Sequence, residues 1–135
     1  MLGDARSFDG IDVAWLASDS VGQVAAFITG GAGPVPAAAL GSLEDAESQA
    51  LALPDLGAFH LHVQVPHPDS FVALAKKGVF VYDWPDPGTE RETAGAYQLA
   101  ASPACPLKLV SAYLPACMVH FPDSVFGAQE FGVVA

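Results

Sequence analysis

His60, His62 and His67 fall in one short tract, and a single residue separates the first two. Along a β-strand, side chains two apart point the same way, so imidazoles at that spacing can share an ion such as zinc, with Asp69 or His120 as a further ligand. The same tract alternates Phe59, Leu61, Val63 and Val65 against His60, His62 and Gln64. A half-buried strand that turns its histidines to water has that pattern too, so the spacing supports a metal site or a polar strand face. No organic cofactor is implied. Gly30 to Gly33 lacks the spacing and the lysine of a phosphate-binding loop, and Pro34 and Pro36 remove N–H donors such a loop would use.

Nucleophilic catalysis finds little to work with. Cys105 and Cys117 have no histidine in a local signature, and no Gly-x-Ser-x-Gly elbow occurs. Two cysteines are too few for a disulfide framework and read as reduced, buried thiols. The carboxylate pairs Asp83 with Asp86 and Glu90 with Glu92 could serve as acid and base only at a working separation that sequence does not fix. No catalytic residue is assigned, and the chain reads as a non-enzyme. Trp84, set between Asp83 and Pro85-Asp86, suits either core packing or an aromatic anchor for a partner. Glu44, Asp45 and Glu47 form a solvated helix face or a second part of the same acidic contact surface.

Fifteen acidic side chains oppose five basic ones on 135 residues, a net charge of -10. That balance disfavours nucleic acid and anionic membrane and favours a basic protein partner, because summed charge steers encounter. The contact surface expected for such a partner comprises Asp83, Trp84, Asp86, Glu90, Glu92, Glu44, Asp45 and Glu47. A hydrophobic fraction of 52% is enough for one core over residues 1–135, and it also suits an oligomeric adaptor. No apolar run approaches the ~18 to 20 residues of a membrane span. Met1 to Gly10 carries Asp4 and Asp9 beside Arg6 and lacks a secretory pattern, so a cytoplasmic address is expected.

The elements that would carry these residues follow from apolar period and turn chemistry. Ile11 to Ala17 and Gln23 to Thr29 are two apolar strands joined through Ser18-Asp19-Ser20-Val21-Gly22, where the aspartate and serines supply side-chain acceptors and Gly22 a positive φ. Pro36 opens a helix over Ala37 to Leu53 that Gly41-Ser42 can interrupt. Phe59 to Val65 is a strand, Asp69 or Ser70 caps a helix over Phe71 to Lys77, and Gly78 ends it. Strands follow at Val79 to Trp84 and Tyr97 to Ala101, with a mobile loop around 85–95 between them. Val119 to Phe121 and Phe131 to Val134 close the domain. This order predicts an α+β fold, a mostly antiparallel sheet with two or three helices packed on one face.

The run from Trp15 through Asp19, Gly22, Phe27, Thr29 and Gly33 to Pro34 and Pro36 resembles the opening of small bacterial immunity proteins of polymorphic toxin systems. That opening has a tryptophan strand, an Asp-x-x-Gly turn, an alanine-phenylalanine strand and a glycine-proline exit. Tyr97-Gln98-Leu99, Pro103, Pro106-Leu107 and Leu114-Pro115 add a second echo. The resemblance implies a non-enzymatic inhibitor that blocks a toxin, and the acidic charge suits a toxin domain with a basic groove.

Overall fold

The computed structural model describes residues 13–30, 33–42, 50–63, 68–84, 96–107 and 119–133, with side chains of the second segment described as far as 39. The Asp19 turn does what its residues dictate. Gly22 takes φ 83°, and β1 (Ala14–Ser18) returns antiparallel as β2 (Val24–Ile28) in the register Ala14 to Ile28 through Ser18 to Val24. Both strands are buried at every position, as their two-sided apolar sequence requires of strands inside a covered sheet.

Seven strands are seen among the described residues, in the order β3-β5-β4-β2-β1-β6, with β7 also on β5. The later strands are β3 (Phe59–Leu61), β4 (Phe80–Asp83), β5 (Tyr97–Pro103), β6 (Val119–His120) and β7 (Glu130–Phe131). The sheet is mixed. β1–β2, β3–β5, β4–β5 and β5–β7 run antiparallel, whereas β2–β4 and β1–β6 run parallel. Parallel pairing needs a long crossover, and the chain between β2 and β4 supplies one that contains β3 and the helix α1 (Asp69–Lys76).

Helix content corrects the expectation of two or three helices on one face. Among the described residues there is one α-helix, α1, and a 3-10 helix over Ala37–Ser42. Ala50 and Leu51 are also helical, and 43–49 lie outside the described residues. The two described helices cover opposite faces. Leu74 and Ala75 of α1 join Leu16, Val24, Ala26, Val79 and Val81 in one core. Ala39 of the 3-10 helix joins Trp15, Phe27, Tyr82 and Tyr97 in the other. Capping is corrected as well: Asp69 lies inside the first turn, the N-cap is Pro68, and no side chain caps it. Asp69 still places negative charge at the positive end of the helix. Gly78, at φ 87°, ends it as expected.

The second core is aromatic. Phe27 is fully buried and stacks on Trp15 at 4.2 Å and on Tyr82 at 5.1 Å between ring centroids. Phe121, Phe126 and Phe131 close over it from the C-terminal segment. That segment starts at β6 on one edge of the sheet and ends at β7 beside β5, so it straps the aromatic face from side to side.

Candidate functional site

Two residues of the expected contact surface lie at the end of β4. The Trp84 N–H donates to the Ile28 carbonyl at 3.0 Å, which extends the parallel β2–β4 pairing by one step. Its half-buried ring meets Tyr97 edge-on at 5.1 Å. The Tyr97 hydroxyl donates to the Pro34 carbonyl at 2.8 Å and accepts the Trp15 indole N–H at 3.3 Å. A Cβ at Gly33 would stand 2.6 Å from that hydroxyl and 3.0 Å from Trp84 Cβ. The glycine-proline exit from β2 is therefore a close approach of backbone to two aromatic rings. Trp84 walls the aromatic core and keeps part of its surface in water.

Asp83 points the other way. Directly opposite residues in paired strands share a face, and the registers Asp83 to Gln98 and Gln98 to Glu130 align three polar side chains across β4, β5 and β7. The Gln98 amide donates to Glu130 Oε2 at 3.2 Å. With strands ~4.8 Å apart, the two acidic positions sit about 10 Å from one another. Asp83 is half-buried and Glu130 exposed. Asp83 and Trp84 thus share a strand end and face opposite sides of the sheet. Asp86, Glu90 and Glu92, in the expected mobile loop 85–95 that joins β4 to β5, lie outside the described residues, as do Glu44, Asp45 and Glu47. Glu130 and Gln98 were missed from sequence, where nothing marks them as neighbours of Asp83.

Two other described carboxylates, Asp55 and Asp19, are engaged away from this row. Asp55 pairs with Lys77 at 2.8 Å, and the hydrogen bond and charge of Lys77 hold its carboxyl below the ordinary value. Both residues line a shallow groove of about 410 Å³ with Leu51, Asp69, Val72 and Lys76. Both described lysines are there, so it is not part of the acidic surface.

Asp19 is fully buried. Its Oδ1 accepts the Val21 and Gln23 N–H groups at 3.0 and 2.9 Å, and its Oδ2 accepts the Gln23 amide and the Phe126 N–H, both at 2.9 Å. Burial pushes the carboxyl up, but the Gln23 side chain and the N–H groups of Phe126, Gln23 and Val21 outweigh it and hold the group below its ordinary value. Asp19 is a structural bolt between the hairpin turn and the C-terminal strap.

The histidine tract keeps its expected alternation only in part, because Leu61, expected on the core face, is 40% exposed. Phe59 and Val63 pack on the α1 side, and His60 and His62 are exposed. His62 lies within hydrogen-bond distance of Ser102, Nε2 to Oγ 2.8 Å. His67 and Cys117 lie outside the described residues. His120, bonded through Nδ1 to Ser18 Oγ at 2.8 Å, sits on the opposite edge of the sheet from β3. Five strand spacings, about 24 Å, separate it from His60, so it cannot join that pair. Among the described residues no group of three or more His, Cys, Asp or Glu could hold a metal. No helix among them is long and apolar enough to cross a membrane. Cys105 corrects the reading of a buried thiol: it is free and exposed, because it follows Pro103 and Ala104 out of β5. No family model, curated protein or solved structure matches the chain.

Proposed function

We propose that this chain is a non-enzymatic bacterial binding protein of the immunity kind, which acts in the cytoplasm by occluding a basic surface of a toxin domain. The reading rests on the net charge of -10 together with the Asp83–Gln98–Glu130 row at one end of the sheet. The row sits on paired strands, so its carboxylates are presented on a rigid support and lose little freedom when a partner docks. In sequence, Asp86, Glu90 and Glu92 follow within the connection that leaves this end of β4. Occlusion would be steric, with attraction to basic side chains speeding encounter.

The test is association kinetics against a basic toxin domain encoded beside the gene, or a panel of basic nuclease domains. The expected on-rate falls steeply as salt is raised, and the pair Asp83→Lys with Glu130→Lys slows association about tenfold or more at low salt with less effect on dissociation. Binding with an on-rate indifferent to salt, or no binding to any basic domain, overturns the reading.

A further inference from the structure

The edge strand β3 arranges more than a polar face. His60 lies directly opposite Ser102 in the β3–β5 register, and the ladder continues to His62, whose N–H donates to the Ala100 carbonyl at 2.8 Å. Between Val81 and Tyr82 the β4–β5 register shifts, with Val81 opposite Ala101 and Tyr82 opposite Leu99, so Ala100 is an extra residue in β5. One added residue reverses the facing of all that follow it in a strand. The shift turns Ser102 away from the α1 side, onto the face that carries His60 and His62.

We infer that His60 and His62 form a binding site for a divalent first-row transition ion, with Ser102 as a positioning residue. The two Cα atoms are separated by about 6.6 Å along the strand, and both side chains leave the same exposed face, so two imidazole nitrogens can converge on one ion at ~2.0 to 2.1 Å. Ligating histidines commonly donate their second ring N–H to a fixed acceptor, which sets the tautomer and the ring plane. Ser102 Oγ, 2.8 Å from His62 Nε2, supplies that acceptor. The proton then rests on Nε2 and the lone pair on Nδ1 faces the ion. Water completes the coordination. The preference is for nickel, copper or zinc over calcium or magnesium, because neutral imidazole suits the former and oxygen the latter. The inference is independent of the basic-partner reading.

Calorimetric titration of Ni²⁺ and Zn²⁺ into the full chain, prepared without an affinity tag, tests it. The expected result is one ion per chain. His60→Ala and His62→Ala should each reduce affinity more than tenfold, Ser102→Ala about tenfold, and His120→Ala not at all. Ring-nitrogen NMR with Zn²⁺ should place the metal on Nδ1 of His62 and the proton on Nε2. Absence of binding by the intact chain, or binding that survives both His60→Ala and His62→Ala, overturns the site. A metal found on Nε2 of His62, or Ser102→Ala without effect in a folded protein, overturns the positioning role.

Discussion

The Asp19 carboxylate accepts the backbone N–H of Phe126 at 2.9 Å, across 107 positions of sequence. One buried charge thus ties the turn of the first hairpin to the strap that closes the aromatic core. Asp19→Ala leaves the buried Phe126 N–H and three part-buried donors without their acceptor and should cost about 2 to 3 kcal/mol, with Asp19→Asn costing less. Denaturant unfolding of both variants checks this.

Acid unfolding should depend on the same group. Its folded-state pKa is depressed from the ordinary 3.8, so the stability it contributes is present above that value and is lost as pH falls through the lower folded value. Asp19→Asn should flatten the fall in stability below about pH 4. Melting temperature against pH, for the two proteins side by side, measures the difference.

Phe27 touches more of the aromatic core than its neighbours do in sequence, with stacked contacts to Trp15 and Tyr82 and edge contacts to Tyr97 and Phe126. Phe27→Ala opens a cavity at the centre of a close-packed cluster and should cost about 3 to 5 kcal/mol. Near-ultraviolet circular dichroism should lose intensity in the folded state, because the rings that Phe27 orders regain freedom.

Tyr82 donates to the Ala128 carbonyl at 2.8 Å and accepts the Gly127 N–H at 3.0 Å. Burial pushes its hydroxyl above the ordinary 10.0, opposed by the Gly127 bond and assisted by the Asp19 charge. The unfolded chain therefore ionises first, and this contribution to stability is full below about pH 10 and lost as pH rises through the folded value. Tyr82→Phe should cost about 1 to 3 kcal/mol and remove a late-titrating tyrosine from the ultraviolet titration curve.

Gly33→Ala would set a methyl 2.6 Å from the Tyr97 hydroxyl. Tyr97 cannot yield freely, since Pro34 and Trp15 hold that hydroxyl. The substitution should cost about 1 to 3 kcal/mol, and Gly33→Ala combined with Tyr97→Phe should recover part of the loss.

Much of the strand pattern was legible because it is local. Asp19 and Gly22 forecast their own turn, and the two-residue period of Phe59 to Val63 placed Phe59 and Val63 against the core but failed for Leu61, which stays exposed. The helix over Ala37 to Leu53 was less legible. Its alanines and leucines fit a helical period, yet Gly41 and Ser42 weaken α-helical propensity, and the described start is a 3-10 turn. The acidic surface was legible as charge and not as a place. Asp83 and Trp84, adjacent in sequence, leave the sheet on opposite faces, and Asp55 is drawn to Lys77.

By itself the sequence determined a single strongly acidic chain, the first hairpin and the phase of most strands, since turn chemistry and side-chain alternation act over a few residues. Tertiary structure alone decided that Glu130 meets Gln98, that Phe126 reaches Asp19 and that Ser102 turns toward His62. Those meetings depend on strand order and on one register shift in β5. Such features are set by how the whole apolar surface is buried, and no short stretch of residues encodes them.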